Sequence, residues 1–331
     1  MWSLIVNRIL QSLFVMLAVS AIAFALLTFS SDPVASILGP QSTPADRAEL
    51  REKLRLDDPF VWRYATYLGR IAAGDLGVSY ATGSRVSTVI AERIPATLEL
   101  AVVAVLLSLA LGLPLGIYTA VHHRSALARL VMTMSLLGLS LPTFVTAVLL
   151  VTVFAVGLGW LPSFGRGEVA QLGWWSTGLL TPSGRAALIL PALSLAIAQS
   201  TLVARLVHAE MLEVLRTDFI RFARARGLSE RVINLGHALR NTLIPIITIC
   251  GLQLGFLMAF SVVVEFVFQW PGLGLLFLQS LEKTDVPVMT AYLVLAAAFF
   301  VAVNFIVDLL YLAADPRLRT AHQLSRGASA V

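Results

Sequence analysis

The stretch Asp218-Phe219-Ile220-Arg221-Phe222-Ala223-Arg224-Ala225-Arg226-Gly227-Leu228 is densely charged, and it lies between two long apolar runs of the chain. Arginine occupies positions 221, 224 and 226. Charged side chains are costly among lipid chains, so a segment of this kind adds nothing to packing within a bilayer. We therefore expect this stretch to lie in the cytosol and to contact another protein.

The composition around that stretch is that of a membrane protein. The 331 residues are 58% hydrophobic and 13% charged, with a mean hydropathy of +0.84. A soluble domain of this composition could not cover its surface with polar groups. The net charge of +5 fits anchoring charges at the cytoplasmic face, because no basic face is interleaved with stacking aromatics as in a nucleic-acid-binding protein. A single cysteine excludes an intramolecular disulfide, and no Cys/His cluster has metal-ligand spacing.

Six apolar runs are long enough to cross a bilayer, and together they predict an all-α polytopic membrane protein. The runs are 9–29, 98–121, 131–158, 188–207, 244–268 and 288–312. The first is longer than the roughly 7–15 residues of a signal-peptide core, so we expect it to be retained as a helix. Gly251 and Gly255 stand four residues apart, which either lets a neighbouring helix approach closely or marks a bend.

The arginines of the connecting loops predict the orientation. The connections 121–130 and 209–243 are richer in arginine than 159–187 and 269–287, so the first two should be cytoplasmic. Both termini are then cytoplasmic, in a multi-pass membrane protein. The predicted plan is a first transmembrane helix, an extracytoplasmic segment, a five-helix core with a cytoplasmic loop at about 209–243, and a cytoplasmic tail, at 1–29, 30–97, 98–315 and 316–331.

The segment 30–97 is charged but balanced in sign. Thr43, Pro44 and Asp46 form a helix-start pattern, and Glu49 and Lys53 are spaced to pair, which predicts a short surface helix near 44–56. Such a segment either docks a partner, gates the outer mouth of a transport path, or is an inert cap.

Capping residues predict a helix within the charged stretch. Thr217 can cap a helix that starts at Asp218, and Gly227 suits a C-terminal position with positive φ. Ser229 and Glu230 can begin a second helix that runs to about Leu239.

One side of the first predicted helix carries Phe219, Phe222 and Ala223, with arginines alongside. An aromatic anchor with a charged rim fits a groove on a partner protein. The alternative is a loop that only anchors topology and touches anionic lipid headgroups.

The same loop resembles the "EAA" loop of permease subunits of ATP-binding-cassette (ABC) importers, in the form found in the dipeptide/oligopeptide/nickel branch and its dipeptide permease B-type subunit. Against the general EAA pattern, Arg221 and Phe222 occupy the first two positions, and only Ala223 and Gly227 match well. Other segments that resemble the branch cover nearly the whole chain in order and spacing: Asp32-Pro33-Val34, Gly74-Asp75-Leu76-Gly77, Arg93-Ile94-Pro95-Ala96-Thr97, Leu141-Pro142-Thr143-Phe144, Leu190-Pro191-Ala192-Leu193, Trp270-Pro271-Gly272-Leu273-Gly274 and Asp315-Pro316-Arg317.

This resemblance implies a type I ABC importer permease fold with six transmembrane helices and a partly helical extracytoplasmic segment between helices 1 and 2. It also implies a homologous second permease subunit, two cytoplasmic ATPase subunits or one fused ATPase, and an extracytoplasmic solute-binding protein. The location that it implies is the cell membrane of a prokaryote. ATP and Mg would be bound by the ATPase subunits, with no cofactor, metal or catalytic residue in this chain. The absence of a phosphate-binding Gly-x-x-x-x-Gly-Lys-Ser/Thr motif agrees with that division.

The resemblance further implies which residues contact the ATPase and what is carried. The first helix of the loop would be a coupling helix seated in an ATPase groove, through Asp218, Phe219, Arg221, Phe222, Ala223, Arg224, Arg226, Gly227 and Leu228. Short peptides, either di- or oligopeptides, are the expected substrate, with nickel, haem or another small solute as alternatives. An ion-driven secondary transporter is a different class; it would need acid–base pairs near the bilayer midplane and commonly inverted repeats, which are not evident.

Two acidic residues in or beside the apolar runs, Glu265 and Asp308, are further candidates. An ionisable group is costly at such a position and is functional by default. Each could serve a gate or pair with an arginine, or could make a structural hydrogen bond.

Overall fold

The computed structural model describes residues 2–30, 34, 38, 42–53 and 55–314. Within them the chain is almost entirely helical. The predicted tail at 316–331 and most of 31–41 lie outside the described residues. The helices are α1 (Trp2–Ser30), α2 (Pro44–Lys53), α3 (Phe60–Ala72), α4 (Val86–Val121), α5 (Ala126–Ser140), α6 (Thr143–Leu150), α7 (Pro182–Val214), α8 (Asp218–Ala225), α9 (Leu239–Val267), α10 (Leu273–Glu282) and α11 (Val286–Ala314).

Two π-helical segments and one two-stranded hairpin complete the regular structure of the described residues. A π-helical segment, Val151–Gly157, continues α6, and a second, Val232–Ala238, leads into α9. Strands β1 (Ala170–Leu172) and β2 (Trp175–Thr177) form an antiparallel hairpin in the connection between α6 and α7.

Among the described residues, four helices are long and apolar enough to span a membrane. Their spanning parts are Arg8–Ala25, Val86–Val121, Pro182–Val214 and Val286–Val307. They correspond to four of the predicted runs, although α4 already begins at Val86, inside the segment predicted as 30–97. The predicted run 244–268 lies in α9, some of whose residues are outside the described side chains, so a count of six stays a prediction.

The predicted single run 131–158 is wrong in detail, because it is divided between two helices. α5 ends at Ser140, and α6 with its π-helical continuation is bent from it by 104°. Leu141 is extended, with φ −80° and ψ 123°, because the ring of Pro142 excludes the helical conformation from the residue before it. The pair counts as a fifth span only if both parts are taken together.

The centre of the bundle is the crossing of α4 and α7, which pack most extensively. Gly112 and Gly116 of α4 lie where α7 comes closest. A Cβ added at Gly112 would be 2.7 Å from the carbonyl oxygen of Ser200, and one at Gly116 would be 2.6 Å from Cβ of Val207. Small residues four apart thus bring the two backbones together, as in many membrane helix pairs.

Gly251 and Gly255 play the same part between α9 and α11. A Cβ at Gly251 would overlap the side chain of Val307, and one at Gly255 would overlap the ring of Phe300. The structure therefore decides between the two readings of this glycine pair, in favour of close helix approach.

The short surface helix predicted near 44–56 is present as α2. Thr43 Oγ1 accepts from the backbone N–H of Asp46 at 3.2 Å, and the Asp46 carboxylate accepts from the N–H of Thr43 at 3.1 Å. These reciprocal bonds satisfy N–H groups that the helix start leaves free. The Thr43 hydroxyl also donates to the Asp46 carboxylate at 2.6 Å, and this bond, followed by the one from the Thr43 N–H, lowers the pKa of Asp46. Lys53 and Glu49 pair at 2.6 Å, as their spacing predicts.

Candidate functional site

The charged stretch 218–228 forms α8 and a sharp turn. Thr217 occupies the capping position, but its side chain donates to the carbonyl oxygen of Val214 at 2.6 Å and makes no cap bond to α8. The predicted Thr217 cap is therefore wrong, because the hydroxyl is already engaged by the preceding turn. Asp218 lies in the first turn of α8, where its charge suits the helix dipole.

The predicted glycine stop is confirmed. Gly227 has φ +78°. The N–H of Leu228 donates to the carbonyl oxygen of Ala223 at 3.3 Å, and the N–H of Gly227 donates to that of Arg224 at 2.9 Å. This is the Schellman pattern, in which a left-handed residue reverses the chain and satisfies the last helix carbonyls.

The inner face of α8 is fixed to the bundle. Ile220 and Ala223 are buried, and they belong to an apolar cluster with side chains of α4, α7 and the start of α9. Ala223 is thus on the inner side with Ile220, whereas the sequence places it beside the phenylalanines. The cluster also contains Ala120, Val203, Val207, Met211, Ile233, Ala238 and Ile246.

The outer face of α8 is apolar and rimmed by charge. Phe219 and Phe222 are exposed, Phe222 to 64%. The guanidinium carbon of Arg226 lies 5.8 Å from the centre of the Phe222 ring, and Arg221 pairs with Asp218 at 3.2 Å. A helix that is packed on one face and exposes aromatic rings on the other is suited to binding in a groove on another protein.

A two-bond ion pair spans the turn after α8. Arg224 Nε and an Nη donate to the two carboxylate oxygens of Glu230 at 2.8 and 3.2 Å. The hydrogen bond from Arg224 lowers the pKa of Glu230, and the same bond raises the pKa of Arg224. Gly227 and this pair together define how α8 is set against the helix that follows.

That following helix differs from the prediction. A separate second helix ending near Leu239 is not formed; the helix begins at Glu230, passes through the π-helical segment Val232–Ala238 and continues as α9 to Val267. Gly236 and Pro245 lie on either side of Leu239 without ending the helix, and the wider π-helical turns, which include Gly236, absorb the change of register. The chain therefore passes from α8, through the turn at Gly227, into the end of a long bundle helix.

Glu265 is fully buried near the far end of α9. Its carboxylate accepts from Thr97 Oγ1 at 2.8 Å and from the N–H of Leu275 at 3.0 Å, at the N-terminal end of α10. A Cβ at Gly272 would lie 2.5 Å from that carboxylate, so the glycine leaves room for it. These contacts join α4, α9 and α10 around one acidic group. Of the roles considered for Glu265, they support the structural hydrogen bond.

A second buried acid escaped the sequence reasoning. Glu99 of α4 forms a buried ion pair with Arg166, and it accepts from the N–H of Gly178 at 3.0 Å. Arg166 also donates to Ser176 Oγ at 2.9 Å, and its guanidinium lies 5.8 Å from the Trp270 ring. The sequence contains a clue to this pair, because an acid inside an apolar run needs a partner and Arg166 is one of few basic residues in the loop 159–187.

Asp308 lies in α11, and its side chain is outside the described part of the structure. In the described ranges no group of three His, Cys, Asp or Glu side chains could hold a metal ion.

Two family models match the chain. Residues 112–320 match the model of the binding-protein-dependent transport system inner membrane component, and residues 1–101 match the model of its N-terminal part. The chain belongs to this family. The resemblance to ABC importer permeases of the dipeptide/oligopeptide/nickel branch is thereby confirmed.

Several curated relatives of this permease family are similar over nearly their whole length. A putative peptide transport system permease protein of Brucella abortus is 38% identical, covering 96% of this chain and 99% of the relative. The glutathione permease protein GsiC of Escherichia coli is 36% identical, covering 96% and 99%. The dipeptide permease protein DppB of Alkalihalophilus pseudofirmus is 34% identical, covering 95% and 98%.

Solved structures agree on the fold. Two inward-facing crystal forms of the MetNI methionine ABC transporter match with TM-scores of 0.54 and 0.57, at 22% and 21% identity. They cover 66% and 69% of this chain and 93% and 96% of the matched chains. The permease described here is therefore a multi-pass membrane protein with the fold of an ABC importer permease.

Proposed function

We propose that this permease carries short peptides into the cytoplasm as one of two membrane subunits of an ATP-driven importer. The relatives named for peptide, glutathione and dipeptide transport support the substrate class. Glutathione is itself a short peptide, so the three names describe one kind of solute. Membership in a family described as binding-protein-dependent also argues against an ion-driven secondary transporter.

The proposed topology has six transmembrane helices with both termini in the cytoplasm. The arginine-rich connections 121–130 and 209–243 support it, because basic loops are retained on the cytoplasmic side. The segment 30–97 would then face the opposite side, where a solute-binding protein delivers the peptide. The second subunit would be a homologous permease, and the two would enclose the transport path.

The outer face of α8 would be the ATPase contact. The observation that carries this proposal is the difference between the two faces of α8. Ile220 and Ala223 pack against the bundle, while Phe219 and Phe222 are exposed. A groove on a cytoplasmic ATPase subunit would receive the two rings, with Arg221 and Arg226 at the rim. ATP and Mg would be bound by that subunit, and its closure would move α8 and tilt the bundle as a rigid body.

The direct test is the ATPase activity of the reconstituted transporter, assembled with its binding protein and assayed with dipeptides, tripeptides including glutathione, longer peptides and nickel complexes. We expect stimulation by at least one peptide class and loss of uptake when ATP is withheld. Stimulation by nickel complexes alone would replace the peptide assignment. Uptake that continues without ATPase subunits would contradict the importer mechanism itself.

A further inference from the structure

Helix α3 is held against α1 by a cluster of aromatic rings. The Phe24 ring of α1 lies 5.6 Å from Phe60, 5.8 Å from Tyr64 and 4.9 Å from Tyr67, measured between ring centres. Phe60, Tyr64 and Tyr67 are spaced so that they share one face of α3. This part of the segment between the first two spans is thus packed on a transmembrane helix.

The depth of that contact can be read from α1. Tyr64 Oη donates to the carbonyl oxygen of Leu17 at 2.9 Å and shares a hydrogen bond of 2.7 Å with Ser20 Oγ. Leu17 and Ser20 lie within the spanning part Arg8–Ala25. At 1.5 Å per residue, Phe24 is roughly 7 Å inside the end of the apolar run at Phe29. The packed face of α3 therefore lies below the edge of the apolar layer, and the Tyr64 hydroxyl has the partners that such a position demands.

The opposite face of α3 is apolar and bare. Val61 is 73% exposed and Trp62 is 70% exposed. Tryptophan with an exposed aliphatic neighbour is typical of helices that rest at a membrane interface, where the indole ring is partly in the apolar layer. Ile22 of α1, two residues before Phe24, is exposed as well.

Charged side chains line a cleft beside the ring cluster, and Phe24 and Tyr67 line the same cleft. Lys53, Arg55, Arg63 and Arg70 line a cleft of about 440 Å³, together with Asp58 and Asp75. Some of this charge is already engaged, since Arg70 pairs with Asp75 at 2.9 Å. Lys53 pairs with Glu49 at 2.6 Å, and Arg63 donates to the carbonyl oxygen of Leu56 at 3.1 Å, so most of these cations already have partners within the segment.

We propose that α3 is an interfacial helix that rests in the leaflet at the C-terminal end of α1. Val61 and Trp62 contact acyl chains. Naming this the outer leaflet rests on the proposed orientation, but the contact with lipid does not. The segment predicted as wholly extracytoplasmic is then partly a membrane element that braces α1.

The test places a probe on α3 in the assembled transporter, reconstituted in lipid nanodiscs. The single cysteine, Cys250, is replaced by serine, and Trp62→Cys is labelled with an environment-sensitive fluorophore. Ala48→Cys on the polar helix α2 is the matched aqueous control, and Leu106→Cys on the exposed face of α4 is the bilayer control. We expect the Trp62→Cys probe to emit at shorter wavelength than the Ala48→Cys probe and to be quenched by lipids spin-labelled near the headgroup.

Quenching of the Trp62→Cys probe should exceed that of the Ala48→Cys probe at least twofold, and Val61→Cys should repeat it. A water-like emission at both α3 positions would overturn the proposal. So would short-wavelength emission without quenching by lipid, which would mean that protein covers this face. A probe shielded only when the binding protein is added would instead assign the face to that partner.

Discussion

At the residue scale, Gly227 controls how α8 is joined to α9. Its φ of +78° is a conformation that a β-branched residue adopts only at a cost of about 1–2 kcal/mol. No atom lies within 4 Å of the position that a Cβ would occupy, so the cost comes from the backbone alone. We expect Gly227→Val to reduce substrate-stimulated ATPase activity of the assembled transporter by about tenfold, while the subunit is still inserted and assembled.

Gly227→Asn is the matched control, because asparagine tolerates the left-handed conformation. It should retain most of the coupling. If Gly227→Val transports as well as the unmodified protein, the turn is not a fixed element of the coupling path.

At the element scale, α8 has two faces with separable roles. Phe222→Ala removes an exposed ring and should leave the thermal stability of the isolated subunit unchanged, while weakening its association with the ATPase by about tenfold or more, as expected for an aromatic anchor. Ile220→Ala removes a fully buried side chain and should cost about 2–5 kcal/mol of stability. Co-purification of the ATPase and thermal unfolding of the subunit distinguish the two effects.

Phe164 provides the control for the element, since it is also 64% exposed but lies in the loop between α6 and β1. Phe164→Ala should leave ATPase association intact. Equal losses for Phe222→Ala and Phe164→Ala would show that general surface hydrophobicity, and not the α8 face, governs association.

At the scale of the whole molecule, the bundle depends on close glycine crossings. Gly116→Val would place a Cβ 2.6 Å from Cβ of Val207 and 2.7 Å from the carbonyl oxygen of Ala204, forcing α4 and α7 apart. Overpacking of this kind costs about 1–3 kcal/mol, so we expect a lower unfolding temperature and reduced yield of monodisperse protein. Gly69→Ala on α3 has open space and should be neutral or slightly stabilising. Equal unfolding temperatures for the two variants would contradict the crossing.

The sequence predicts the apolar runs, the charged stretch and its glycine stop, because hydropathy and capping act over a few residues. It does not show that Pro114 and Pro142 have different effects on their helices. Both lie in apolar runs where membrane helices tolerate proline, yet Pro114 is inside α4 and Pro142 stands at a 104° bend. The difference depends on what packs against each position. The same limit explains Glu99 and Arg166, which are 67 residues apart and meet only through the tertiary fold.

Ala96 and Thr97 of α4 have a consequence for how the chain is assembled. Ala96 accepts from the Trp270 indole, Thr97 contacts Glu265 and the N–H of Leu273, and the sequence separations of these bonds are 174, 168 and 176 residues. None of these bonds can form before the ribosome has delivered the end of α9. A nascent chain that ends earlier leaves buried acceptors without donors, so this end of the bundle closes late in synthesis. Truncation after α7 should therefore yield an inserted but protease-sensitive intermediate.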